Sequence, residues 1–288
     1  PLRCNYASGG NNRAQIQRVP QYTDCPVSGT VTPLSAWNGS WGGIFAVMCN
    51  QNVNISGQVN ASGMGFRGAT RPANSPRATG KKGESYLGVY DALATSPAPN
   101  YSGGGGAYNN NADAGSGGGG GGYGTIGATG VLGHNTNGSG PGQGGETAGS
   151  SDLIAGVFFG GGGGSGSNSY TSGDGSTFGG AGGNGGGIIL ISGRTVSVSG
   201  LVLSNGANGS DSTGHATGGG GGGAGGAVII QAQTVILGSS YIRALGGAGG
   251  HGGAFSINGG SGGVGRIMVR YCESLSGSTN PPASIQKL

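Results

Sequence analysis

Residues 246–265 read GGAGGHGGAFSINGGSGGVG and begin with three consecutive triplets of two glycines and one other residue. The same pattern occupies residues 179–187, GGAGGNGGG. Neither an α-helix nor a β-strand has a period of three residues, whereas the left-handed extended helix has three residues per turn and a rise of about 3.1 Å. Glycine on two of its three edges lets such a helix pack at backbone distance. The stretch therefore predicts a bundle of polyglycine II-type helices.

The composition favours neither collagen nor an ordinary globular core. Glycine accounts for 76 of 288 residues, and charged residues make up only 8%. Collagen needs one glycine per triplet with abundant proline, but the triplets here have two glycines and no proline. Fixing a glycine backbone costs more conformational entropy than fixing any other residue. Dense backbone hydrogen bonds, disulfides or assembly must offset that cost.

A second repeat lies between the glycine blocks. Strand-like units open at Gly43, Gly187 and Gly226, and a partial unit opens at Gly265; the last three openings are 39 residues apart, since 226 − 187 and 265 − 226 are both 39. Each full unit contains three short pieces with the two-residue period of a strand, separated by Ser-Gly or Asn-Gly corners. We expect strands around residues 45–47, 53–55, 59, 189–191, 196–198, 202, 228–230, 235–237 and 242.

These two repeats together predict an all-β protein with almost no α-helix. The short strands should form a parallel β-solenoid-like stack, and the glycine blocks should form the helical bundle beside it. We divide the chain into a disulfide-linked N-terminal arm or cap (1–40), a glycine-rich body (41–272) with an insertion (64–180), and a polar, proline-broken C-terminal tail (273–288).

The four cysteines are Cys4, Cys25, Cys49 and Cys272. They form no CxxC or Cys/His pattern that zinc would require, so we expect disulfides. Three pairings are possible. We favour Cys4 with Cys25 and Cys49 with Cys272, because the second bond closes a loop around nearly the whole body and would constrain the unfolded chain most.

Disulfides are typical of oxidising compartments. The sequence begins at Pro1 without a leader, and no apolar run approaches the length of a membrane span. We therefore expect a mature, exported protein that is extracellular or attached to a cell surface and has no membrane span.

The insertion is the best candidate for a binding surface, because tyrosine can stack on sugar rings and arginine can pair with anionic polymers. The alternative is that these side chains pack inside the molecule or against another subunit. The residues are Arg67, Arg71, Arg77, Lys81, Lys82, Tyr86, Tyr90, Tyr101, Tyr108 and Tyr123.

The sequence offers no catalytic or cofactor motif. His134, His215 and His251 each lie in a glycine-rich loop without neighbouring cysteines or clustered carboxylates. GxGxxG recurs, but its recurrence is expected by chance at this glycine content, and no helix follows it. The net charge of +4 is small, and there is no basic and aromatic stripe. We predict a protein that is not an enzyme, with no catalytic residue, cofactor, metal or nucleic-acid partner.

The GGxGGx blocks resemble proteins built on packed polyglycine-type helices, namely phage tail-fibre adhesins, springtail antifreeze proteins and glycine-rich surface proteins of mycobacteria. The strand-bearing units look more like exported bacterial glycine-rich solenoid proteins. We predict an extracellular structural protein that self-assembles into a filament or surface layer. The alternative is an adhesin that binds a cell-surface glycan or protein, and ice binding is a distant third.

Overall fold

The structure is a computed structural model that describes residues 15–109, 113–134, 139–170, 172, 177–253 and 255–288. The regular elements in this part of the chain are all strands, so the all-β prediction is confirmed. The strands are β1 Gln21–Tyr22, β2 Cys25–Val27, β3 Thr30–Val31, β4 Ile44–Cys49, β5 Asn52–Ile55, β6 Gln58–Asn60, β7 Ile188–Ser192, β8 Thr195–Val198, β9 Leu201–Leu203, β10 Ala227–Arg243, β11 Arg266–Asn280 and β12 Ser284–Lys287.

All strand pairings are parallel, and they form one curled sheet. The long strand β10 pairs along its length with β7, then β8, then β9, and on its other side with β11. The shorter strands continue the same ladders, because β4, β5 and β6 pair with β7, β8 and β9 in turn. Each strand-like piece expected from the sequence thus lies in a strand of one parallel sheet.

Both ends of the sheet extend beyond the units found in the sequence. The part of the chain predicted to be an N-terminal arm contributes β1, β2 and β3, which pair with β4, β5 and β6. The part predicted to be a tail after Cys272 instead continues β11 and then forms β12, which pairs with β11. Short strands with mostly exposed residues carry little periodic signal, so the sequence did not indicate them.

The parallel register stacks apolar side chains of like position in rows. Val228 lies beside Ile189 on one side and Ile267 on the other, and all three are buried. Similar rows join Val53, Val196 and Val235 and join Val59, Val202 and Ile242. At about 25 cal/mol per Å² of apolar surface, such rows are a main source of stability in a chain with few large side chains.

The disulfide joins Cys25 and Cys49, so the favoured pairing was wrong. Their Cα atoms are 6.2 Å apart, within the range that a disulfide spans. Cys272 is free and exposed, and Cys4 lies outside the described residues. The favoured pairing relied on the entropy of a long loop, whereas the fold places these two cysteines side by side through the pairing of β1 with β4 and of β2 with β5.

The glycine segments are extended, and their hydrogen bonds repeat every three residues. A central segment, residues 216–226, donates the N–H groups of successive residues to three different neighbours. Residues 218, 221 and 224 donate to segment 161–167, residues 219, 222 and 225 to segment 257–263, and residues 220, 223 and 226 to segment 204–210. Each of the three edges of the central segment therefore donates its N–H groups to a different neighbouring segment.

The carbonyl groups of the central segment accept hydrogen bonds with the same spacing. Segment 115–121 donates to the carbonyls of residues 216, 219 and 222, segment 180–186 to those of 218, 221 and 224, and segment 247–253 to those of 223, 220 and 217. These segments and the central one are called the glycine bundle below. It surrounds one buried chain with backbone partners on all sides, which satisfies polar groups that burial would otherwise leave costly.

Candidate functional site

A half-open cavity of about 410 Å³ lies where the insertion meets the sheet. This volume is within the range of small-molecule sites. The side chains and backbone that line it come from distant parts of the chain: Gln15, Trp37, Ile44, Phe66, Glu84, Ser85, Tyr86, Leu87, Gly88, Val89, Tyr90, Val157, Phe158, Phe159 and Ile188. We call it the aromatic cavity.

Three packed rings form one wall of the aromatic cavity. The ring centroids of Trp37 and Phe66 each lie 5.3 Å from the ring centroid of Phe159, and they are 6.2 Å from each other. The Phe66 ring meets the Trp37 and Phe159 rings edge-on, which is a favourable arrangement for aromatic quadrupoles. All three rings are at least nine-tenths buried, so this wall is held rigidly.

The Tyr86 and Tyr90 rings form the outer part of the aromatic cavity. Tyr86 lies 5.0 Å from Phe158 and 6.1 Å from Tyr101 between ring centroids. Beside them, Leu87 and Val89 are exposed and add an apolar rim. The segment that carries Tyr86 and Tyr90 turns around Ser85, whose hydroxyl accepts a hydrogen bond from the Gly88 N–H at 2.7 Å.

A buried carboxylate connects the two parts. Glu84 Oε2 accepts hydrogen bonds from Trp37 Nε1 at 3.1 Å and from Arg67 Nε at 2.9 Å, while Arg67 Nη2 donates to Oε1 at 3.0 Å. The hydrogen bond to Glu84 raises the pKa of Arg67 above its ordinary value, although burial alone would lower it. The guanidinium also lies 3.7 Å from the centroid of the Tyr90 ring. Burial raises the pKa of Tyr90.

The structure brings some of the predicted binding residues together and separates others. Tyr86 and Tyr90 line the aromatic cavity, Arg67 contacts Glu84 and Tyr90 of its lining, and Tyr101 packs against Tyr86. Arg77 instead forms an ion pair of 3.1 Å with Asp113. The remaining surface candidates are Arg71, which is exposed, and Lys82 and Tyr108, which are half-buried.

Tyr123 cannot belong to a surface-binding loop, because its side chain is fully buried. Its hydroxyl oxygen accepts a hydrogen bond from the Phe158 N–H at 3.3 Å, and the Arg266 guanidinium lies 5.5 Å from its ring centroid. Burial raises the pKa of Tyr123 to about 12. The ring packs in the core between the glycine bundle and the sheet, which is the alternative that the sequence had left open.

Lys81 pairs with a carboxylate near the aromatic cavity. Its Nζ lies 2.8 Å from Asp91 Oδ2 and 2.6 Å from Thr70 Oγ1, and the Thr70 N–H donates to Asp91 Oδ1 at 2.7 Å. Burial alone would raise the pKa of Asp91, but the hydrogen bonds from Lys81 and Thr70 outweigh it and the pKa is lowered. Lys81 is therefore engaged within the molecule.

We expect Asp91→Asn to lower the free energy of unfolding by about 1 kcal/mol at neutral pH. A carboxylate with a lowered pKa in the folded state stabilises the protein above its unfolded pKa, and this stabilisation is lost as pH falls through the folded value. The difference between wild type and variant should therefore shrink to nothing in strong acid. Urea unfolding of both proteins across the acid range measures it. A difference that stays constant with pH would contradict the role of the charge.

The cavity residues that sequence reasoning missed include Phe66, which directly precedes the predicted Arg67, together with Trp37, Glu84 and the Phe158–Phe159 pair. Glu84 lies within KKGESY, beside predicted residues, and its acidic side chain among basic ones was the available signal. Trp37 precedes β4, and the phenylalanine pair precedes a glycine run. No spacing relates these positions, so only the folded chain shows that they meet.

The histidines lie elsewhere. His134 and His215 flank Phe255, with ring centroids 6.2 and 5.3 Å from it, and the His251 N–H donates to Asp211 Oδ1 at 2.7 Å. Within the described ranges, no three His, Cys, Asp or Glu residues group as a metal site would require. The same residues contain no helix that could span a membrane. That the protein is not an enzyme stays a prediction.

The aromatic cavity and the glycine bundle are the two features from which a function can be argued. Each is built by segments that lie far apart in the sequence. Comparison of the chain with protein-family models, with curated proteins and with solved structures found no match.

Proposed function

We propose that this protein is an extracellular structural protein that assembles with further copies of itself into a filament or surface layer. The segments of the glycine bundle would be polyglycine II-type helices, and the parallel ladders would be the rungs of a short β-solenoid. The three-residue repeat of the backbone hydrogen bonds supports the first assignment, because each edge of a three-fold helix faces one neighbour. The disulfide supports an oxidising compartment.

The observation that carries the proposal is an open edge on an outer glycine segment. In segment 125–132, the N–H groups of Ala128 and Val131 donate to segment 257–263, and those of Gly127 and Gly130 donate to Gly145 and Gly142. The N–H groups of Ile126, Thr129 and Leu132 have no acceptor among the described residues. Within the described part of the chain, one of the three edges is therefore unpaired, and we call it the open edge.

A comparable edge elsewhere in the bundle is closed by side chains. The N–H groups of Leu245, Ala248 and His251 donate to the side-chain oxygens of residues 205, 208 and 211, at 2.8, 2.9 and 2.7 Å. These Asn and Asp side chains recur every third residue and occupy donors that another chain could otherwise use. No described side chain closes the open edge in this way.

The segment that carries the open edge also exposes apolar side chains. Ile126 is 68% exposed, Leu132 51% and, on a neighbouring edge, Val131 45%. Unpaired backbone donors beside exposed apolar residues favour pairing with a second chain, as they do at the edge of a β-sheet. A second copy that presents a row of carbonyls at the same spacing would satisfy the donors and bury the side chains.

The test compares wild type with the double variant Ile126→Lys and Leu132→Lys. Wild type should form concentration-dependent assemblies in sedimentation velocity and ordered ones in electron micrographs. The variant should raise the concentration at which assembly begins at least about tenfold, which corresponds to about 1.4 kcal/mol. Introduced charges leave the buried contacts untouched, so its circular dichroism should be unchanged.

Ile154→Lys is the matched control, because Ile154 is 55% exposed and lies outside segment 125–132. It should assemble like the wild type. Dispersed monomers of the wild type at all concentrations would overturn the proposal, and normal assembly of the double variant would exclude the open edge as the contact.

The aromatic cavity favours a second candidate function, ligand binding by an adhesin. Its rings are preorganised by buried contacts, and its mouth is open to solvent. Rigid aromatic surfaces lose little conformational entropy when a ligand binds. A binding role and self-assembly use different surfaces, so one does not exclude the other.

A further inference from the structure

We propose that the aromatic cavity binds an uncharged sugar ring, such as one unit of a neutral surface polysaccharide. The inference rests on the second candidate function and gives its ligand class. Three properties of the cavity support it: its aromatic lining, the balance of its charges and the hydroxyl groups of two tyrosines that line it.

The rings suit a ligand with one apolar face. A sugar ring carries C–H groups on one side, and these are attracted to the negative face of an aromatic ring. Six aromatic residues line the cavity: Trp37, Phe66, Tyr86, Tyr90, Phe158 and Phe159. The cavity volume of about 410 Å³ leaves room for a ring with its substituents.

The charges at the cavity cancel one another. Arg67 and Glu84 form a two-point ion pair, with Nε to Oε2 at 2.9 Å and Nη2 to Oε1 at 3.0 Å. The Tyr90 ring covers the guanidinium. A charged ligand would lose its hydration without gaining a free opposite charge in return. This arrangement disfavours the anionic polymers that the arginines of the insertion suggest from sequence alone.

The polar groups suit hydroxyl partners. The hydroxyls of Tyr86 and Tyr90 have no hydrogen-bond partner among the described residues, and both side chains are half-buried at the cavity. A phenol hydroxyl can donate one hydrogen bond and accept others. It can therefore bond the hydroxyl groups around a sugar ring, which also both donate and accept. A purely apolar ligand would form no hydrogen bond with either hydroxyl.

The test begins with an array of neutral and anionic glycans probed with the full chain. The best neutral glycan is then titrated against the Trp41→Phe variant, in which Trp37 is the only tryptophan, since the chain has two. Binding should change the Trp37 fluorescence saturably. Tyr86→Phe and Tyr90→Phe keep the rings and remove the hydroxyls, and each should weaken binding about tenfold.

Tyr101→Phe is the control, because Tyr101 packs on Tyr86 but does not line the cavity. It should bind as the parent does. Anionic glycans that bind as tightly as neutral ones, or binding that is insensitive to both hydroxyl deletions, would overturn the proposal. Indole provides a separate probe: indole binding without glycan binding overturns the sugar proposal but keeps the cavity as a ligand site, and binding of neither removes the second candidate function as well.

Discussion

Replacing Gly221 with alanine should lower the free energy of unfolding by about 3 kcal/mol or more. Gly221 lies in the central segment of the glycine bundle, and a Cβ atom there would meet the backbone carbonyl of Gly119 well inside contact distance. Hydrogen bonds hold both backbones in place, because Gly221 donates to Gly164 and accepts from Gly183, while Gly119 donates to Gly105 and accepts from Gly164. Chemical denaturation of wild type and variant measures the loss.

The control for this prediction is Gly29→Ala. An added Cβ at Gly29 would have no atom within 4 Å, and Gly29 has no positive φ. Its free energy of unfolding should change by no more than about 0.5 kcal/mol. If both variants lost the same stability, the close packing of backbones in the glycine bundle would not be what holds the fold together.

The contrast between these glycines indicates what the sequence could and could not predict. The three-residue period predicted extended segments, because it depends only on local spacing. The partners of each segment were not predictable, since glycine has no side chain with which to mark a register. Partial markers exist in Asn205, Asn208 and Asp211, whose spacing of three matches the donors that they bond.

The strands were better specified than the segments between them. The residues of one row, such as Ile189, Val228 and Ile267, lie 39 residues apart in the sequence. The parallel register of the strands places them side by side. Strands β1 to β3 were not predicted for two reasons. They lie only about 28 residues before their partners, as Cys25 does before Val53, so they do not follow the 39-residue repeat. Their residues are also largely exposed and carry little apolar signal. The missed first row also explains the wrong disulfide pairing, because it brings Cys25 beside Cys49.

The candidate site was predicted only where its residues lie close together in the chain. Arg67, Tyr86 and Tyr90 all belong to the predicted binding stretch, while Trp37 and Phe159 come from segments that flank it at a distance. The arginines suggested free positive charge, but Arg67 is neutralised by a glutamate that only the fold places beside it. Charge counts along a sequence cannot reveal such internal pairing.

Glu84→Ala should lower the free energy of unfolding by about 3 kcal/mol. The Glu84 side chain is only 5% exposed and accepts hydrogen bonds from Trp37 and Arg67. Its removal leaves the Trp37 Nε1–H and the Arg67 guanidinium without their partner in a partly dry site. Because the Arg67 side chain is 27% exposed, water can reach part of the guanidinium, which places the loss at the lower end of the range for buried pairs.

Two further variants show how much of this loss comes from the charge of Glu84 and how much depends on its burial. Glu84→Gln keeps an acceptor and should cost only about 1–2 kcal/mol. Asp113→Ala breaks the ion pair with Arg77, where the Asp113 side chain is 54% exposed, and should cost no more than about 0.5 kcal/mol. Urea unfolding followed by Trp37 fluorescence in the Trp41→Phe background measures all three. Equal losses for Glu84→Ala and Asp113→Ala would mean that the buried pair does not organise the aromatic cavity.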